Sequence, residues 1–164
     1  MVTALGDAAV GLIEENLTAV RDIVVGLGDE LASTRPALAG ANPPTGIAVH
    51  CAGLVNFWLG SVIGGEKIPR DRDSEFTTTG PVDEIASLVD ELLPRVRGWV
   101  DIGLTEGARD RTATGSTRTA DSIRAASVEW MLLHVVRELS QHLGQLELTR
   151  DVLMSSAGRA DEHR

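Results

Sequence analysis

Apolar residues recur at alternating spacings of three and four through most of this chain, a seam that restricts it to helices packing nearly side by side. Val10, Ile13, Leu17, Val20, Val24 and Leu27 form the first run, and Ile47, Cys51, Leu54, Trp58 and Val62 the second. Val82, Ile85, Val89, Leu92, Val96 and Trp99 form the third, and Val128, Leu132, Val135, Leu139, Leu143 and Leu146 the fourth. On a helix advancing about 100° per residue each set falls on one face. The spacings predict helices over residues 4–26 and 44–63, and a third opening at Pro81. Pro94 should kink or interrupt that third helix, because it removes one hydrogen bond and crowds the preceding turn. A fourth begins between Thr119 and Ser127 and runs to about Met154. No strand pattern or internal repeat competes with this, so the expected fold is all-α, a left-handed four-helix bundle.

Residues 36–45, with three prolines and a glycine, punctuate the first two helices, and residues 65–80 and 103–120 read as long polar loops. Arg70-Asp71-Arg72-Asp73 reads as solvated. Arg109, Arg111 and Arg118 in the later loop suit either a mobile surface or an anionic substrate. A chain of 164 residues fits one domain, here 1–155, with 156–164 as a disordered tail in which His163 has no role. Such a domain buries roughly 70% of its unfolded surface without needing a metal to fold. Cys51, the one cysteine, rules out an internal disulfide and fits a reducing compartment. No leader pattern opens the chain and no apolar run approaches the length of a membrane span, so a soluble cytoplasmic protein with no membrane partner is expected. The formal charge of −9 opposes nucleic acid binding.

Chemistry concentrates in the stretch HVVRELSQHLGQ, residues 134–145. Glu138 and His142 stand one helical turn apart on the flank of the apolar stripe and can converge on one ion. His134 and Glu138 share that spacing but point less well inward, His134 lying further round toward solvent. An ordinary helical carboxylate–imidazole pair explains such spacings equally well. In the second helix His50 lies beside the stripe, with Gly46 and Gly53 on its own flank. Each glycine costs a helix about 1 kcal/mol relative to alanine, so either something needs the space or the helices pack closely there. Metal sites in bundles form between side chains projecting from facing helices. His50 can therefore meet Glu138 and His142, two imidazoles and a carboxylate that leave a fourth position open for water or substrate. Cys51 points into the stripe as a small buried hydrophobe. Phe57, Trp58 and His134 are candidate walls of a substrate or cofactor pocket.

The segments GIAVHCAGLVNFWLGSVIGGE and VEWMLLHVVRELSQHLGQLELTRDVL, with LGDEL closing the first helix, resemble the DinB/YfiT-like superfamily of metalloenzymes, and most closely its actinobacterial, mycothiol-dependent branch. The likeness spans nearly the whole chain. It implies an up-down-down-up helix order and assigns His50, Glu138 and His142 to a divalent metal, zinc or nickel. Many members carry a third histidine where this chain has Glu138, and the glutamate favours the mycothiol-using branch. The implied activity is transfer of the thiol to an electrophile, in detoxification, or thiol-assisted isomerisation. Larger maleylpyruvate isomerases of this kind carry a further C-terminal domain, so the transferase is expected here.

Two other functions remain open at this stage. One is a non-catalytic bundle that binds a small apolar ligand or self-associates, a homodimer being compatible with the sequence. The other is a metal-dependent hydrolase with bound water as nucleophile. The catalytic group beyond a metal-bound thiolate or water cannot be named from the sequence.

Overall fold

Ile13, Leu17, Val20 and Val24 are fully buried, and the helix that carries them, α1 (Ala4–Ala32), packs most extensively on α7 (Val128–Asp161) and also on α2 (Pro44–Val55), α4 (Val82–Asp90) and α5 (Leu93–Glu106). The computed structural model describes residues 4–161, which contain helices and no strand. The helices are α2 (Pro44–Val55), α3 (Arg72–Glu75), α4 (Val82–Asp90), α5 (Leu93–Glu106), α6 (Ala120–Ala125) and α7 (Val128–Asp161). Together they form an all-α bundle. The four apolar seams make its core: nearly every residue named above is buried, with Leu27 and Leu143 packed at its margin.

The first helix outruns its expected end at residue 26, although Gly28 takes a left-handed φ of 71° that interrupts it. Beyond that break Asp29 accepts a hydrogen bond from the Val82 amide at 2.8 Å. An orphan donor at the start of α4 is thereby satisfied from α1, a task that Pro81, as N-cap, cannot perform with its own side chain. Pro94 interrupts the third seam as expected: α4 stops at Asp90 and α5 restarts at Leu93 with the proline in its first turn. The last helix reaches Asp161, past the expected end near Met154, and His163 lies outside the described residues.

The second helix departs from the expected regular geometry. After Val55 it widens into a π-helical segment (Asn56–Ile63), with the Gly64 amide donating to the Leu59 carbonyl at 2.8 Å. Simple three-four periodicity carries no sign of such widening, which is often found at functional sites. Pro44–Ile63 is long and apolar enough to cross a membrane, yet 83% of its most apolar window is buried inside the bundle, the position of a core helix. His50, Asn56 and Ser61 interrupt that stretch, so it contains no unbroken apolar run of spanning length.

The Arg70–Asp73 run is solvated only in part: Asp71 and Asp73 are exposed, but Arg70 turns inward to Glu75. The Arg70 and Glu75 side chains are each only 6% exposed, and α3 is a single turn capped by Asp71, whose side chain accepts from the Ser74 amide. Gly46 and Gly53 explain how the segment docks. A Cβ at Gly46 would lie 2.8 Å from the Phe76 carbonyl oxygen, and one at Gly53 would lie 2.0 Å from Glu75 Oε1. The space cleared on the flank of α2 is filled by this segment.

Gly53→Ala therefore forces Glu75 out of its seat and should destabilise the fold by about 1–3 kcal/mol in chemical denaturation. Gly11→Ala, whose Cβ meets nothing within 4 Å in α1, should be neutral or stabilising. Equal effects of the two substitutions would contradict the notch.

Candidate functional site

His50 projects from α2 with Glu75 behind it. Its Nδ1 lies 2.7 Å from Glu75 Oε2, and the Arg70 guanidinium donates to the same carboxylate through Nε at 2.6 Å and Nη2 at 2.9 Å. Arg70 also donates to the Gly115 carbonyl at 3.0 Å, tying down the loop before α6. Burial pushes the Glu75 carboxyl upward, but the hydrogen bonds and charges of His50 and Arg70 outweigh it and hold the group below the usual carboxylate range. An ionised carboxylate only accepts, so the proton between the pair sits on His50 Nδ1, and in the neutral ring Nε2 keeps its lone pair free. Phe76 stacks on the same imidazole with ring centroids 4.2 Å apart.

The facing wall belongs to α7. The His142 ring meets His50 edge-on, centroids 4.5 Å apart and planes at 76°. Gln145 Oε1 lies 3.0 Å from His142 Nδ1, one turn along the helix. With the amide oxygen accepting, this ring too has its Nδ1 occupied and its Nε2 available. Burial lowers the affinity of His142 for a proton, offset in part by Gln145, while the nearby His50 lowers it further. Glu138, one turn earlier, is ion-paired with Arg137 and lies 3.9 Å from His134 Nδ1. Burial raises the Glu138 carboxyl, but Arg137 and the two α7 imidazoles bring it below its ordinary value.

His134 lies further inside than the helical wheel suggested, at 8% exposure. Trp130 stacks on it with centroids 4.8 Å apart, and Trp58 meets it edge-on at 5.0 Å. A helical wheel of α7 alone cannot register the covering indole that the π-helical segment supplies. Burial keeps this ring neutral, the carboxylate of Glu138 opposing and Arg118 and Arg137 assisting.

His50, Trp58, His134 and Glu138 line a cavity of about 390 Å³ together with Leu54, Arg70, Arg72 and Arg118 and the hydroxyls of Ser116, Thr117, Thr119 and Ser122. Phe57 faces elsewhere: it lines a recess behind Glu75, with the Arg70 guanidinium 5.7 Å from its ring. Cys51 is buried and its thiol is pushed up to about 12, by burial first and the Glu75 charge second, so it is no ready nucleophile.

No three His, Cys, Asp or Glu side chains among the described residues are gathered into a ready metal cluster. The donor chemistry nevertheless fits a divalent ion: two adjacent imidazoles have Nδ1 engaged by side-chain acceptors, the arrangement that orients metal-binding histidines. Glu138, the third expected ligand, is turned to Arg137 instead. Glu75, Arg70, Phe76 and Gln145 escaped the sequence reading. Its one trace of them was the pair of glycines flanking His50.

A family model described as Mycothiol-S-transferase matches residues 8–154. No curated protein matches the chain.

Glu75→Ala leaves the Arg70 guanidinium buried and unpaired and should cost on the order of 3 kcal/mol of unfolding free energy. A loss within ordinary surface scatter would contradict the buried chain. Stability should also depend on pH. His134 and His142 are held below their ordinary value of 6.5, so between the folded and unfolded values the unfolded chain binds more protons and stability drops as pH falls through 6.5. Glu75, depressed below 4.5, adds a second loss as pH falls beneath that value. The thermal midpoint of metal-free protein should thus decline from pH 7 downward, less steeply in His142→Gln. A flat midpoint down to pH 5 would contradict the buried neutral rings.

Proposed function

The chain belongs to the mycothiol-S-transferase family, and from that membership we propose a metal-dependent transferase that joins mycothiol to electrophiles in cytoplasmic detoxification. His50, Glu138 and His142 would hold the divalent ion, with zinc preferred and nickel the alternative. The observation that carries this reading is the edge-on pair of imidazoles, His50 on the cavity and His142 packed against it, each with its Nδ1 occupied and its Nε2 unspent. When bound, the ion supplies a Lewis acid that lowers the pKa of the thiol.

The rest of the work falls to this chain's own side chains. Glu75 and Gln145 fix the two rings so that neither must reorient at the moment of binding. Trp58 and Trp130 pack against the His134 ring and hold it in the cavity wall. The thiol gives up its proton to solvent before the carbon–sulfur bond forms, and His134 serves as a polar group on the cavity wall rather than as the base, since burial weakens its hold on a proton. An incoming thiol is required because Cys51 is buried away from the cavity with its proton held firmly.

Protein purified without a histidine tag or chelator should contain about one equivalent of zinc or nickel by plasma mass spectrometry. His50→Ala and His142→Ala should lose it. Electrophile consumption should require both metal and mycothiol. Hydrolysis of a substrate without thiol would favour a hydrolase. A wild type that stays empty after equilibration with these metals would sink both enzymatic readings and leave a ligand-binding bundle.

A further inference from the structure

Ten of the described arginines donate to a carboxylate or a backbone carbonyl: Arg21, Arg35, Arg70, Arg95, Arg97, Arg109, Arg111, Arg124, Arg137 and Arg150. The guanidiniums of Arg72 and Arg118 donate to neither, and both line the cavity that holds His50, His134 and Glu138. Scarcity of carboxylates is not the reason, since the chain has 24 acidic residues and a charge of −9. Each guanidinium lies over an aromatic face instead, Arg72 at 5.8 Å from the Phe76 centroid and Arg118 at 4.9 Å from that of Trp130. Aromatic support holds such a plane while leaving its N–H edge free for an oxyanion.

Charge in the cavity wall points the same way. Arg70 is consumed by Glu75 and Glu138 by Arg137, so the uncompensated side-chain charge is the two positive charges of Arg72 and Arg118. Ser116 and Thr117 add hydroxyls to the same wall. Arg109 and Arg111, from the same arginine-bearing loop as Arg118, are committed elsewhere. Arg109 pairs with Glu106, and Arg111 donates to the Ile123, Arg124 and Ala126 carbonyls.

We propose that the electrophile accepted here carries an anionic group, a carboxylate or sulfonate, which Arg72 and Arg118 hold while its reactive carbon faces the histidines. The assignment deepens the transferase reading and rests on it. Two matched pairs of compounds test it. The unreactive 3,5-dinitrobenzoate and its methyl ester report binding through tryptophan quenching. The reactive 4-chloro-3,5-dinitrobenzoate and its methyl ester report turnover with mycothiol. In that reaction the sulfur–carbon bond forms, chloride leaves with the electron pair and the thiol proton goes to solvent.

Wild-type protein should favour the acid over the ester at least about tenfold in binding, and likewise in kcat/KM once each is divided by its uncatalysed rate with mycothiol, as charge-assisted pairing implies. In the double variant Arg72→Gln, Arg118→Gln the binding ratio should fall to about one and the kcat/KM ratio to that of the uncatalysed reaction with mycothiol, with the thermal midpoint confirming a folded protein. Equal handling of acid and ester by the wild type would overturn the proposal, as would a preference that survives in the double variant. An Arg-dependent preference in binding, with neither chloro compound turned over, would uphold the anion site and count against the transferase reading alone.

Discussion

Glu75 sits between Arg70 and His50 in a notch that Gly46 and Gly53 cut into the flank of α2, and the cavity wall depends on that placement. Remove the notch and the carboxylate has no seat. Remove the carboxylate and Arg70 is left as a buried cation, while the tie that orients the His50 ring is gone. Buried ion pairs are weak evidence for stability, because desolvation offsets much of their attraction. What this one provides is direction: a fixed tautomer and a fixed ring plane at the point where α2 faces α7.

Arg70 extends the same chain outward. By donating to the Gly115 carbonyl it ties residues 70–76 to the loop that brings Ser116, Thr117 and Arg118 over the cavity. The core that supports all this is ordinary helix packing, and it is assembled without the polar groups. Two glycines on a core helix therefore weaken α2 locally and in return let a charged segment reach its imidazole. The π-helical segment beyond Val55 brings Trp58 against His134 on the opposite wall.

The apolar seams were legible because each repeats within one helix, where burial follows from spacing alone. The seams also show that His50 and His142 flank the core on facing helices, where their rings meet; the spacing by itself left an ordinary carboxylate–imidazole pair open. Glu75 could not be identified, since it reaches His50 across 25 residues of chain and sits in a stretch of charged and turn-forming residues with no periodicity. Gly46 and Gly53 signalled that space was needed but not what would fill it. His134 was placed too near solvent because its cover comes from Trp58 on another helix. Arg72 and Arg118 were visible as charges, and only the pairing of the ten other arginines with described side chains sets them apart.

The central claim is that Glu75 and Gln145 hold two facing histidines with Nδ1 protonated and Nε2 free for one shared ion. Long-range proton–nitrogen NMR of the histidine side chains tests it most directly, recorded on metal-free protein and then during titration with zinc. The account predicts the Nδ1–H tautomer for both His50 and His142, with their two Nε2 resonances shifting together as zinc is added. An Nε2–H tautomer at either ring, or zinc shifts that spare one of the two, would contradict it.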